Sequence, residues 1–376
     1  MQDSNRSSSY LFRVILIPPA VFFSVIFGGA YGSGREIVEF VTKYGPSGGF
    51  VSLATIAILY AAILFLCFEF ARLTRSFEYR AFFKNLIGKG WVLYELLFML
   101  GLVVALAICA SASGAIALNH FGLPEIIGGI GLLLIVVALN YQGRRFVEIS
   151  MIFCIGALAL AFLYLAAELF SGQSALISDK LAAEQTTNFN AIKGGMTYAF
   201  SSGGFIPILL YCAVGLRSRS ECLVAALLAA SVTVLPGIVL HSAFLTQYPA
   251  ILDETLPAYT VVQSLTSPGF LNIYLVIVFL MIAQTGVGLL QGFIERIDGW
   301  MLEKNGKPMP PIGHALTAGG VVVASMVFAS IGLVELIFRG FTFFSAAFFF
   351  VFFIPLFTVG IYKIFFTSPK DQKAAQ

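Results

Sequence analysis

Charge is scarce in this chain. Of 376 residues, 11% are Asp, Glu, Lys or Arg and 59% are hydrophobic, where a soluble domain carries about 25% charged residues. A water-soluble globular protein is thereby excluded. The net charge of +3 comes without a basic stripe, so nucleic acid is excluded as a partner as well. Histidine is almost absent, and His120, His241 and His314 all fall near the ends of apolar segments. With no HExxH and no Ser-His-Asp arrangement, neither an enzyme nor a cofactor is expected, and no metal beyond a coupling sodium ion. The five cysteines (Cys67, Cys109, Cys154, Cys212, Cys222) lie inside or at the edge of apolar segments and read as small buried hydrophobes, not as a disulfide set or metal cluster. Residues 1–12 are polar and run into an apolar segment without a small-residue cleavage site, so no removable signal peptide is expected.

What the chain has instead is apolar length. About 20 apolar residues span the hydrocarbon, and by that measure ten segments stand out: 14–42, 48–71, 91–118, 124–140, 146–170, 190–216, 221–245, 270–295, 312–332 and 334–366. The fourth is the shortest. With the N-terminus inside, 17 of the 22 Lys and Arg residues fall in cytoplasmic connections or tails, and only Lys43, Lys180 and Lys193 fall outside. Every second connection is basic. This alternation predicts a multi-pass protein of the cytoplasmic membrane, surrounded by lipid, with both termini inside.

The first segment is broken near its middle. Gly28, Gly29, Gly32 and Gly34 crowd into seven residues, followed at once by Arg35, Glu36 and Glu39, charges that a lipid-facing helix cannot carry cheaply. Either a kink packs against a neighbour, or an unwound stretch offers its backbone groups to a ligand. The sixth segment is interrupted in the same way, by Ser201, Ser202, Gly203 and Gly204, about 173 residues further on. Five segments separate the two breaks. Because five is odd, the second half enters from the opposite face, which predicts two inverted five-helix units. Gly-interrupted segments at corresponding positions of inverted halves point to a transporter's binding site. The expected divisions are a tail over 1–13, a first repeat over 14–170, an external connection over 171–189, a second repeat over 190–366 and a tail over 367–376.

Ten helices in two inverted halves, with the first and sixth broken, resemble the LeuT fold of the amino acid-polyamine-organocation superfamily. More narrowly, GGAYGSGREIVEF at 28–40 followed by YGPSGG at 44–49, LDETLPAY at 252–259 and TGVGLLQGFIERID at 285–298 are similar to the YkvI-type membrane proteins. The resemblance implies a secondary transporter of a small organic solute, an amino acid or a related amine or zwitterion, working by alternating access. The alternative is a ligand-sensing receptor or channel-like subunit, as in the spore germinant-receptor relatives. Oligomeric state is left open.

The resemblance also implies a site. Substrate lies between the two breaks, against Gly28, Gly29, Ala30, Tyr31, Gly32, Ser33 and Gly34 from the first and Phe200, Ser201, Ser202, Gly203, Gly204 and Phe205 from the second. The positive ends of half-helices beginning near Gly34 and Phe205 are expected to face an anionic group. Ser111 and Ser113, in the small-residue run at 105–113, either touch substrate or let helices approach closely. Sodium-coupled members place an ion between first-helix carbonyls, here Val25 and Gly28, and eighth-helix oxygens, here Gln284 and Thr285. The usual adjacent pair of hydroxyls is missing, and the fifth helix holds no substituting Lys or Arg over 147–167. A proton carried by Glu36 or Glu39 is an equal alternative, so Na+, H+ or no coupling remain open. Across the outer vestibule, Arg35 with Glu335, or Arg339 with Glu36 or Glu39, is expected either to gate the site or to form a permanent ion pair. The connection 246–269 is long enough for a short helix-turn, a lid or a passive cover. Glu69, Glu95, Glu148, Glu168 and His241 lie near helix ends, within reach of interfacial water.

Overall fold

The computed structural model describes residues 10–26, 31–140, 144–184, 188–307 and 309–366, all in helices and connections, with no strand among the described residues. Gly28, Gly29, Ala30 and the side chains of Glu148 and Cys154 lie outside the described residues, as do most of the N-terminal tail and all of the C-terminal one.

Six helices among the described residues are long and apolar enough to cross a membrane, or eight if two bent pairs each count as one span. The chain is a multi-pass, all-helical membrane protein. In chain order the helices used below are α1 (Leu11–Ile26), α2 (Arg35–Phe40), α3 (Pro46–Thr74), α4 (Tyr79–Ile87), α5 (Trp91–Phe121), α6 (Glu125–Asn140), α7 (Arg144–Gly172), α8 (Ser174–Ala183) and α9 (Ala191–Gly203). They continue with α10 (Arg219–Leu245), α11 (Pro257–Leu265), α12 (Pro268–Asn305), α13 (Pro311–Ala329) and α14 (Leu333–Phe365). The apolar helices α1 and the Glu125–Leu139 part of α6 are shorter than a full span, so the described helices do not establish the ten spans expected.

Local chemistry sets the ends. Proline occupies the first turn of α3, α11, α12 and α13, where its missing N–H leaves no helical bond unmade. α10 starts on a capped turn: Glu221 N–H donates to Ser218 Oγ of the N-cap at 3.2 Å, while the preceding Arg217 N–H donates to Glu221 Oε2 at 2.6 Å. α9 ends at Gly203 and a 3-10 segment, Ile206–Ala213, leaves at 64° to it. α8, which falls in the stretch read as a plain connection, turns 74° away from the Gly156–Gly172 part of α7. α4 was not expected either; it lays Phe82, Phe83 and Leu86 against the core before α5 begins.

The two long helices α3 and α10 pack against each other. Two polar residues on them depart from the reading that they reach interfacial water, because both are fully buried. Glu69 of α3 accepts from Arg72 at 2.7 and 2.8 Å and from Arg219 of α10 at 3.1 Å. His241 of α10 bonds Thr42 Oγ1 at 3.1 Å and the Pro46 carbonyl at 2.9 Å. Each satisfies its polar atoms within the protein, Glu69 from its own helix and the facing one and His241 from the entry to α3, which removes the need for water. At the start of α1, Arg13 grips Glu221 through two bonds of 2.6 Å and donates to the Gly215 carbonyl at 2.7 Å.

Candidate functional site

A cavity of about 170 Å³ lies between the two breaks. The first break gives it Tyr31 and Glu36; the second gives Ser201, Ser202 and Phe205. α1 contributes Val25, α5 Cys109, α12 Thr285, and α14 Phe341 and Phe344, so six elements converge on one space. Its wall is apolar and aromatic except for one carboxyl, two tyrosines and a few hydroxyls. That composition suits a small solute with an apolar body and few polar atoms.

Glu36 sits on the first turn of α2, just beyond Gly34. Gly34 adopts φ +77°, a left-handed backbone that L side chains rarely take, and a Cβ there would come within 2.6 Å of the Phe244 ring. Only glycine lets α2 start in this place. Glu36 is buried, and its Oε2 accepts a 3.1 Å hydrogen bond from the Tyr198 hydroxyl of α9. Beside it, Tyr60 of α3 donates to Ser202 Oγ at 2.6 Å, which donates in turn to the Tyr198 carbonyl at 2.6 Å. The chain of bonds ties α3, α9 and α2 together around the cavity.

The freed backbone at the breaks is met by two tyrosines. Tyr274 of α12 donates to the Gly32 carbonyl at 2.8 Å, and Tyr94 of α5 donates to the Gly204 carbonyl at 2.9 Å. A carbonyl released from a helix must find a donor at membrane depth. Here the donors come from neighbouring helices and are themselves buried.

Above the cavity, Phe341 stacks on Tyr198 with ring centroids 5.6 Å apart and meets Phe40 at 5.3 Å. Arg35 closes the next layer. Its guanidinium donates to the carbonyls of Leu252 and Glu254 at 2.8 and 2.9 Å and to Glu39 at 3.1 Å, while Lys43 also pairs with Glu39. The connection 246–269 is thus bound to α2, with α11 and a 3-10 turn at Ala250–Asp253 as its ordered parts.

Of the residues expected at the site, Val25, Tyr31, Glu36, Ser201, Ser202, Phe205 and Thr285 line one cavity. Gln284 is buried next to Thr285. Gly32 and Gly204 stand beside the cavity with their carbonyls occupied by tyrosines, and Ser33 accepts from Arg35 N–H at 3.3 Å. Others do not reach it. Phe200 packs against Phe349 and Phe353, Gly203 faces Phe353, and Ser113 donates to the Gly128 carbonyl at 3.0 Å. Ser111 is buried and is not among the described lining residues. Gly28, Gly29 and Ala30 fall outside the described residues, so the Gly28 carbonyl expected for an ion is not placed. The expected cross-vestibule pairs do not form in this conformation. Arg35 is consumed by loop carbonyls and Glu39, and Glu36 by Tyr198, while Arg339 pairs with Glu335 one turn away on its own exposed face. Sequence reasoning missed Tyr60, Tyr94, Tyr198, Tyr274 and Phe341. Among the described residues no group of three His, Cys, Asp or Glu side chains is placed to hold a metal ion.

No protein-family model and no curated protein matches the chain. Among solved structures it is similar to a manganese transporter of Eremococcus coleocola, at 12% identity over 99% of this chain and 92% of that one, with a TM-score of 0.49. It is also similar to a Na+-coupled sialic acid symporter in a substrate-bound outward-open state, at 14% identity over 93% and 88%, with a TM-score of 0.48. A third is the inward-facing conformation of Mhp1, at 14% identity over 95% and 78%, with a TM-score of 0.49. Likeness at this level carries no conclusion about substrate or ion.

Proposed function

We propose that this chain is a secondary transporter that moves a small organic solute, an amino acid or related amine, across the cytoplasmic membrane by alternating access. The observation that carries the reading is the cavity itself, which both helix breaks wall and which no single break encloses. Ten spans in two inverted five-helix repeats, of LeuT-like design with both termini inside, account best for the helix pattern. In that count α1 with α2 is the first span, α3 the second, and α9 with Ile206–Ala213 the sixth.

Side-chain pairing supports the inversion independently of the glycine pattern. Tyr94, on the third span, serves the second break; Tyr274, on the eighth, serves the first. Likewise Glu69 near the end of the second span meets Arg219 at the start of the seventh, and His241 near the end of the seventh meets Pro46 at the start of the second. Both sets interchange when the two halves are exchanged, at sequence offsets of about 170 to 180 residues. A pseudo-two-fold axis of this kind lets one half rock against the other around a fixed site. In this conformation the Arg35 side is covered by the Phe341, Tyr198 and Phe40 layer and by the bound loop.

Counterflow tests the reading. Liposomes containing only this protein and loaded with unlabelled amino acids or amines are expected to accumulate the labelled form of one of them transiently above equilibrium. A protein that binds a solute and never exchanges it would be a receptor or channel-like subunit, and the transporter reading would fall.

A further inference from the structure

Among its described lining residues the cavity has one charged side chain and no counter-charge. Glu36 lines it, and among the cavity's described lining residues there is no Lys, Arg or His. The nearest cation in sequence, Arg35, points its guanidinium into the loop carbonyls and Glu39 instead. The groups that face Glu36 from the elements packed around it are Tyr198 of α9, Tyr60 of α3, Cys109 of α5 and Tyr31 of the first break, all neutral. Its recorded partner among the described residues is the Tyr198 hydroxyl alone. Tyr31, Phe205, Phe341 and Phe344 supply the surrounding aromatic surface.

An ionised carboxylate left alone in such a space is costly, because water and counter-charge are both withdrawn. Two states avoid the cost: the carboxyl holds a proton, or a cation lies against it. An aromatic wall favours the second when the cation is organic, since the ring faces attract it as the carboxylate does. A zwitterion brings its own carboxylate next to Glu36 and loses part of that gain to like-charge repulsion. An anion loses all of it.

We propose that the cavity takes a small organic monocation, with its ammonium centre against Glu36 and its apolar body among the aromatic side chains, and that a proton replaces it on the same carboxyl. This rests on the transporter reading and narrows its substrate class. Charge balances in the exchange: the protonated carboxyl plus the cation gives the carboxylate–cation pair plus one released proton. Since the site empties only in the protonated form, each cycle carries one organic cation one way and one proton the other, with no net charge moved.

The test is calorimetric titration of the purified full chain between pH 6 and 8 with phenyltrimethylammonium and phenethylamine as cations, phenylalanine as zwitterion, phenylacetate as anion and sodium chloride. The expected result is cation binding at least tenfold tighter at pH 8 than binding of phenylalanine or phenylacetate. Toward pH 6 the cation affinity falls by up to tenfold per unit, and release approaches one proton per cation, read from paired buffers of different ionisation enthalpy. Glu36→Gln removes cation binding and proton release together. Glu36→Asp retains both, which guards against mere misfolding of the first variant. Tyr198→Phe keeps cation binding and moves the pH at which protons appear. No cation binding, cation binding that ignores pH or survives in Glu36→Gln, equal binding of phenylalanine, or displacement of the proton by sodium alone would each overturn the proposal. Its failure is separable from that of the transporter reading. Counterflow of phenylalanine that is indifferent to Glu36→Gln sinks this proposal alone, and cation binding with proton release but no exchange across the bilayer sinks the transporter alone.

Discussion

Gly34 and Gly204 stand where a side chain has no room. A Cβ on Gly204 would lie 2.1 Å from the Phe348 ring, and one on Gly34 would meet the Phe244 ring at 2.6 Å and the Ala258 backbone nitrogen at 3.0 Å. Gly34 adds a positive φ that costs any L residue about 1–2 kcal/mol before a clash is counted. Gly34→Ala is therefore expected to destabilise the protein by about 2 kcal/mol or more, measured as a lowered thermal midpoint in detergent. Gly131→Ala, where a Cβ meets nothing within 4 Å, is the matched control and is expected to be neutral or slightly stabilising. Glycine crowding and misplaced charge made Gly34 and Glu36 legible from sequence alone. Tyr198 and Phe341 were not, because a chain with 14 Tyr and 38 Phe gives a single aromatic residue no positional signal. What selects them is proximity across helices far apart in sequence, as Tyr198 to Glu36 shows.

α2 and the connection 246–269 move or stay together through Arg35. One guanidinium holds two loop carbonyls, Leu252 and Glu254, and Glu39 on its own helix. A lysine has a single point of attachment and cannot reproduce the forked geometry. Arg35→Lys is expected to loosen the loop from α2 without unfolding either, seen as faster hydrogen exchange over residues 250–262 with α3 and α10 unchanged. Exchange that rises across the whole chain, or not at all, would show that Arg35 does not clamp the loop. The long elements were readable because apolar length and alternating basic connections leave few alternatives. α4 and α8 were not, since both are short and mixed in composition and draw their order from packing: Phe82 and Phe83 of α4 sit among Phe70, Tyr94 and Phe352. The expected salt bridges across the vestibule failed for a related reason. Charge complementarity names the residues that can pair but not which partner lies nearer, and for Arg339 the nearer carboxylate was Glu335, four residues away.

Across the whole molecule, the proposed transport depends on two halves sharing one site. The spacing of the two breaks carries the expectation of inversion, while the tyrosine donors at them, Tyr94 and Tyr274, became apparent only once the helices were in place. Alternating access requires that the cavity be reachable from each face in turn, although the Arg35 side is covered in this conformation. Ser201 lines the cavity, and cysteine is the near-isosteric replacement for it. The most direct measurement is labelling of Ser201→Cys by a membrane-impermeant thiol reagent, in right-side-out and in inverted vesicles, with the modified position identified by mass spectrometry. Alternating access predicts labelling at residue 201 from both faces, slowed from both when substrate is saturating. Labelling from one face only, whatever solute is present, would contradict a site that alternates between the two sides of the membrane.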